Sequence, residues 1–251
     1  MTSGGAPLSR EIAEFFHAVG IPILEGYGLT ETTPSLTVNR PDRFKFGTVG
    51  LPLDCCELRI APDGEILARG ANIALGYHRR PEATAESWDA EGWFHTGDIG
   101  EFDADGFLRI TDRKKDLIKT SGGKYVAPQK IENLLKLLPH VSQAVVIGDN
   151  RKYCTALITL DQEEVGRWAS GQGLRFASPE EMAAHPRVRE LIEGEVAAAN
   201  KELASYESVK YFRILPRDLS TETGELTASL KVKRKVMAEH YRQQIEEMYA
   251  G

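Results

Sequence analysis

Five consecutive charged residues, Asp112-Arg113-Lys114-Lys115-Asp116, interrupt the chain near its middle. Such a run stays in water, because ionised side chains are costly to bury without partners. It therefore marks a hinge or a boundary, and the sequence reads differently on its two sides. Before it, Ile12, Phe15, Phe16 and Val19 recur at helical spacing over 8–19, with Gly20 just past the end. A short buried strand is expected at 21–24. It runs into Glu25-Gly26-Tyr27-Gly28-Leu29-Thr30-Glu31-Thr32-Thr33, a polar turn of the kind that holds ligands in open α/β sheets. From about Gly47 the pattern changes to short strands at 57–60, 65–69, 93–96, 99–102 and 107–111. Turn signals Ala61-Pro62-Asp63-Gly64 and Asp103-Ala104-Asp105-Gly106 separate two of the pairs, which suggests a small barrel or sandwich.

After the charged run the texture is α+β. Ile131, Leu134, Leu135 and Leu138 line one face of a helix over 128–138, and strands follow at 141–147 and 156–160. Ser178-Pro179-Glu180-Glu181 is a capping box with Pro at the first helical position. Val188, Leu191, Ile192 and Val196, with Leu203 as an outer member, give a long helix its apolar stripe. A strand over 211–215 and a helix over 236–249 end the chain. The fold class is thus mixed α+β. A strand-turn segment and a small β-barrel or sandwich from about 47 occupy residues 1–113, and a separate α+β domain follows over residues 114–251.

Length and composition narrow the function. The 251 residues suit one or two domains, and 41% hydrophobic with 27% charged residues is the balance of a folded chain. A net charge of −6 argues against a general nucleic-acid binder, which needs a basic face. No apolar run reaches the length of a membrane span, and Met1-Thr2-Ser3-Gly4-Gly5 lacks the charged and apolar regions of a secretory signal. Cys55, Cys56 and Cys154 make neither a disulfide framework nor a metal motif, and they read as packing residues of a reduced, cytoplasmic protein. His95, His140 and His185 show no metal-ligand spacing.

The chemistry lies in segments that follow one another in a set order. Tyr27-Gly28-Leu29-Thr30-Glu31 resembles the nucleotide turn of the acyl-adenylate-forming (AMP-binding) superfamily. Gly64-Glu65-Ile66-Leu67-Ala68-Arg69-Gly70, Thr96-Gly97-Asp98 and Asp112-Arg113-Lys114-Lys115-Asp116-Leu117-Ile118-Lys119 resemble its later motifs. Each is weakly specific alone. Together they stand in family order and cover nearly the whole chain. Ser121-Gly122-Gly123-Lys124-Tyr125-Val126-Ala127-Pro128 and Leu230-Lys231-Val232-Lys233-Arg234-Lys235 are most similar to the long-chain fatty-acid–CoA ligases.

The resemblance implies a two-step reaction. A fatty carboxylate attacks the α-phosphate of Mg·ATP, and the thiol of coenzyme A then displaces AMP. Glu31 is implied as the Mg²⁺ ligand, against a plain reading as a solvated loop glutamate. Thr30 would offer its hydroxyl to the α-phosphate and could also cap a helix. Tyr27, with Gly28 beside it, would stack on adenine, and Gly4, Gly5, Ala6 and Pro7 would lie along the adenine edge. Asp98 and Arg113 would bind the ribose hydroxyls, where the plain readings are a turn residue and a surface cation. Lys115 would be the hinge of a C-terminal lid that turns between two poses. Gly122 and Gly123 would approach the pantetheine arm of coenzyme A, or form a simple turn. Lys119 and Lys124 match positions that approach the nucleotide or acyl carboxylate. Lys231 would bridge the fatty carboxylate and the α-phosphate. Many relatives have Gly-Lys there whereas this chain has Leu230-Lys231, so Lys233 stays open as a competitor, and the whole basic run could be a helix start.

The family's Ser/Thr/Gly/Lys-rich phosphate loop has no counterpart in these 251 residues. The resemblance therefore implies the C-terminal part of a longer enzyme, inactive alone: the end of a large α/β domain with a small β-barrel (residues 1–113), then a separate α+β C-terminal lid domain (residues 114–251). Two rivals remain: another acyl- or aryl-CoA ligase, and a non-catalytic nucleotide-binding or interaction module of the same fold. Peripheral contact with a membrane that supplies fatty acid is open, and Lys231 to Lys235 is only a short basic run for that purpose.

Overall fold

Met1–Lys115 and Asp116–Gly251 form two units in this computed structural model, which describes residues 1–228 and 230–250. The junction falls inside the charged run.

In the first unit, β1 (Thr2–Ser3) leads through a glycine-containing loop into α1 (Arg10–Ala18), and β2 (Leu24–Tyr27) returns parallel to β1. Ser9 caps α1 by accepting from the Ile12 N–H at 3.4 Å. The strand expected at 21–24 begins only at Leu24. The Ile21 N–H still donates back to Phe16 O at 2.8 Å, which prolongs the helix exit, while the Leu24 N–H pairs with Met1 O. Two short antiparallel strands, β3 (Thr37–Val38) and β4 (Leu51–Pro52), complete a sheet in the order β1-β2-β3-β4.

The second sheet of this unit is an antiparallel meander. It contains β5 (Cys56–Ile60), β6 (Glu65–Gly70), β7 (Phe94–Phe102) and β8 (Leu108–Arg113), with α2 (Pro81–Ser87) between β6 and β7. Its ladder order is linear. The β8 edge is covered by Val49 and Gly50, which exchange two hydrogen bonds of 2.8 and 2.9 Å with Leu108. β7 is one strand where two are expected, because Thr96-Gly97-Asp98 is an irregularity inside it rather than a turn. Tyr27, Leu36, Ile66, Ala68, Phe94 and Leu108 make the core of this unit.

The second unit opens with a small hairpin, β9 (Ile118–Lys119) and β10 (Tyr125–Val126), followed by α3 (Pro128–Lys136). β11 (Val141–Ile147) and β12 (Cys154–Leu160) are antiparallel. α4 (Gln162–Gly171), α5 (Pro179–Ala184) and α6 (Pro186–Ala199) then lead to β13 (Val209–Leu215), which pairs parallel with β12. α7 (Arg234–His240) and α8 (Arg242–Tyr249) end the unit. β12 is buried at every position, as a central strand covered on both faces must be. Its Cys154, Ala156, Ile158 and Leu160 pack with α3 and α6. Leu157 faces Met237, Tyr241, Ile245 and Met248.

The Ser178 box starts the short α5, with a return bond from the Ala177 N–H to Glu181, and two helix expectations are corrected. α6 has its own start at Pro186, capped by His185, and Leu203 lies past its end yet packs on the same core. The final helix divides at Tyr241, which leaves helical angles while its hydroxyl donates to buried Glu225 at 2.8 Å. Among the described residues no helix is long and apolar enough to cross a membrane. The three cysteines are free, and burial pushes the Cys154 thiol up to about 11, which suits a packing role.

Candidate functional site

β7 and β8 place Asp98 and Arg113 directly opposite each other. Arg113 Nε stands 3.2 Å from Asp98 Oδ1, and the Tyr27 hydroxyl donates to Asp98 Oδ2 at 2.7 Å. Tyr27 comes from the end of β2 in the other sheet, so the site spans both sheets of the first unit. Asp98 is 5% exposed. Its main chain is held as well, because its N–H donates to Thr96 Oγ1, whose hydroxyl donates to Ile66 O. Burial and the neighbouring Asp98 charge push the Tyr27 hydroxyl far above its ordinary value, so it remains a donor. Tyr27 and Arg113 thus hold the carboxylate from two sides, and a carboxylate oxygen has two lone pairs with which to accept.

Thr30, Glu31 and Thr32 form one 3₁₀ turn. Its brace is Thr32 and not Thr30. Thr32 Oγ1 accepts from the Leu29 N–H at 2.9 Å and stands 2.9 Å from Pro34 O, and Thr32 is fully buried. Thr30 is exposed, and its hydroxyl has no partner among the described residues. The Glu31 carboxylate accepts from the Tyr77 hydroxyl at 2.8 Å, and Tyr77 packs edge-on against Trp88. Burial and that carboxylate raise the Tyr77 pKa. Asn72 completes the brace, donating to Thr32 O and Ser35 O and accepting from the Thr33 hydroxyl. Neither Tyr77 nor Asn72 is singled out by the sequence, where each is a lone residue of a loop.

Gly28 has a structural reason of its own. A Cβ there would stand 1.7 Å from Pro34 O, so the turn closes only over glycine. Gly4, Gly5, Ala6 and Pro7 are exposed in the loop after β1. They share with Tyr27 and Gly28 the C-terminal ends of two parallel strands. No group of three or more His, Cys, Asp or Glu side chains among the described residues could hold a metal ion. Glu31 has one carboxylate oxygen on the Tyr77 hydroxyl and could offer the other to a divalent cation as a single ligand.

Lys115 is exposed at the end of the first unit. In the second unit, Gly122 and Gly123 turn between β9 and β10, with the Gly123 N–H on Thr120 O at 2.8 Å. Lys119 and Lys124 are exposed beside this turn, their ammonium groups over the rings of Tyr125 and Tyr206. Lys231 lies in a loop closed by its own main chain. The Thr227 N–H donates to Lys231 O at 2.8 Å, the Lys231 N–H to Thr227 Oγ1 at 3.0 Å, and Leu226 bridges Val232. Ser229 of the Thr227-to-Lys231 motif lies outside the described residues. Leu230 adopts a φ of 59°, a left-handed angle that suits glycine. The basic run is not uniform. Arg234 is tied to Glu132 by two bonds of 2.8 Å, while Lys231, Lys233 and Lys235 are exposed.

The geometry has a counterpart in known proteins. The profile of the AMP-binding enzyme family matches residues 1–78, and that of the AMP-binding enzyme C-terminal domain matches residues 115–251. The chain belongs to the AMP-binding enzyme family. Among its curated relatives, the long-chain-fatty-acid–CoA ligase FadD15 of Mycobacterium bovis is 45% identical over 248 residues, which is 98% of this chain and 41% of that protein. Human long-chain-fatty-acid–CoA ligase 6 is 35% identical over 265 residues, covering 100% of this chain and 38% of its own length. The chain thus spans about two fifths of the curated AMP-binding relatives it matches. Among solved structures, the adenylation domain of a Mycobacterium chelonae carboxylate reductase superposes with a TM-score of 0.80 at 27% identity, over 100% of this chain and 38% of that one. The o-succinylbenzoate–CoA synthetase of Bacillus subtilis, solved with AMP, gives 0.69 at 29% identity over 93% and 44%. These likenesses bear out the resemblance and the mixed α/β adenylation fold.

Proposed function

We propose that the chain carries the ribose-binding and lysine-bearing parts of a cytoplasmic long-chain fatty acid–CoA ligase. The observation that carries this reading is the Tyr27–Asp98–Arg113 constellation, a buried carboxylate aimed by a hydroxyl and a guanidinium. In this reading Asp98 accepts from the ribose hydroxyls of ATP or AMP and Arg113 donates to the same sugar. Tyr27 keeps Asp98 in place and, at 8% exposed within the core, leaves adenine little of its ring to stack on. Gly5, Ala6 and Pro7, exposed in the loop after β1, lie against the adenine edge. The Thr30 hydroxyl, having no partner of its own, is available to the α-phosphate. Glu31 would hold Mg²⁺ through one oxygen, and the ion would supply positive charge to the phosphate oxygens. Lys231 meets the charge that builds between fatty carboxylate and α-phosphate, where a preorganised cation is most effective. The second unit acts as a lid turning about Lys115. Lys119, Gly122, Gly123 and Lys124 form the edge that faces nucleotide or coenzyme A.

The test joins this chain to the upstream portion that the relatives carry and measures palmitoyl-CoA formation from ATP, palmitate and coenzyme A. Activity that falls about a hundredfold in Lys231→Ala, with AMP affinity retained, is expected. Loss in Lys233→Ala alone moves the role to Lys233. Turnover of an aryl acid but not palmitate changes the substrate class. AMP binding without any ligation leaves the non-catalytic module.

A further inference from the structure

β7 cannot carry its ladder through Gly97. The residue has a φ of +71°, and pairing with β6 passes from Glu65↔Ile99 to Leu67↔His95 across it. Both main-chain groups of Gly97 then need partners from outside that ladder. Its N–H donates to Glu65 Oε1 at 3.0 Å, and its carbonyl accepts from the Lys114 N–H at 2.8 Å. Lys114 Nζ returns to Glu65 Oε2 at 2.8 Å, closing a circuit of three residues. Asp63 holds the same ammonium at 2.7 Å, and His95 Nδ1 stands 3.0 Å from Glu65 Oε2. Glu65 is 3% exposed. Burial pushes its carboxyl up, and Lys114, His95 and the Gly97 N–H more than reverse this, so it stays charged.

The two residues that this carboxylate fixes are the chain neighbours of Asp98 and Arg113. We propose that Glu65 is a positioning residue for the ribose pair: by holding Gly97 and Lys114 it sets the offset at which Asp98 and Arg113 face each other. The inference rests on the reading of Asp98 and Arg113 as ribose ligands. A carboxylate is suited to the task because one oxygen takes the bulge N–H while the other takes the ammonium. An ordinary ladder bond could supply only the first.

The experiment measures the affinities of the 251-residue chain for AMP and for 2′,3′-dideoxy-AMP by calorimetry, in the wild type, Glu65→Gln and Lys114→Met. The Gly97 amide is followed by ¹⁵N NMR in the same samples. The wild type is expected to prefer AMP about tenfold or more. Glu65→Gln loses most of that preference while its dideoxy-AMP affinity stays within about twofold, and Lys114→Met loses less in the same sense. The Gly97 amide moves upfield in Glu65→Gln as its charged acceptor goes. A variant that keeps the full preference, or an unmoved Gly97 amide, overturns the positioning role. Equal losses for both nucleotides, tracking a lower melting temperature, also overturn it, because they mark a merely structural carboxylate. A wild type without preference removes the ribose reading itself, and the positioning role with it.

Discussion

Asp98 and Lys231 are held in opposite ways. Asp98 is fixed at its side chain, by Tyr27 and Arg113, and at its backbone, by Thr96. Lys231 is fixed at its backbone alone, through Thr227 and the Leu226–Val232 bridge, and its side chain is exposed. The difference follows from what each group is suited to do. A carboxylate that selects two hydroxyls has to be aimed before the ligand arrives, because hydrogen bonds weaken steeply with angle. An ammonium that meets diffuse negative charge needs reach, and a lysine on a flexible stem has it. Asp98 is held to its oxygens by bonds across two sheets, whereas the bonds of Lys231 among the described residues are main-chain ones.

The comparison breaks first at Gly28. Gly28→Ala puts a Cβ 1.7 Å from Pro34 O, and the turn below Tyr27 has to open. The expected loss is about 3 kcal/mol or more in urea unfolding. Amide protection should fall over 24–38 and persist over 154–160. Uniform loss along the whole chain would mean that the two units do not unfold separately.

The next largest effect belongs to the base of the lysine loop. Glu225 is fully buried and bonded to Arg217, Thr223 and Tyr241. Burial raises its carboxyl and those partners more than reverse this, leaving it lowered to about 2 from an ordinary 4.5. A depressed carboxyl contributes its stability above the unfolded value and loses it as pH falls toward the folded one. Between pH 4.5 and 2 the second unit should therefore lose at most about 3 kcal/mol. Glu225→Gln should flatten that part of the profile. An unchanged profile in the variant would show that other carboxylates govern acid unfolding.

Tyr27→Phe is milder, because the ring stays and only one hydroxyl goes. About 2 kcal/mol of stability should be lost, since the hydrogen bond removed ends on a buried charge. AMP affinity should fall with it. Unchanged affinity would show that Arg113 and the backbone aim Asp98 without help.

Much of this was legible in the residues, and the failures have common causes. Local patterns with a backbone signal were readable. The β5–β6 hairpin follows from Asp63-Gly64, α3 from its apolar stripe and α5 from Ser178. The misses came where a side chain overrides the local pattern. Gly97-Asp98 looks like a turn, yet Glu65 supplies the bulge N–H with a partner and β7 continues. The helix expected over 236–249 divides where Tyr241 donates to Glu225 from another segment. Asp98 and Arg113 could be named from their motifs. Tyr77 and Asn72 could not, because their partners lie 46 residues away (Glu31) and 37 to 40 residues away (Ser35 and Thr32), and nothing in a lone loop residue signals that.

The smallest effect bears on the other side of the comparison, the backbone of the lysine loop. Leu230 is 71% exposed, so its side chain buries little apolar surface, and its φ of 59° is unfavourable for a residue with a Cβ. Leu230→Gly relieves about 1 kcal/mol of that conformational cost and gives back somewhat less in unfolded-chain entropy. A net gain of about 0.5 kcal/mol is the expectation, read as a slightly higher urea midpoint at unchanged slope. The gain should come with the Thr227 and Lys231 amides protected from exchange as before, because their main-chain bonds do not involve the Leu230 side chain. A loss of stability would place Leu230 outside the left-handed region, and the loop would then be held by its side chains, as Asp98 is.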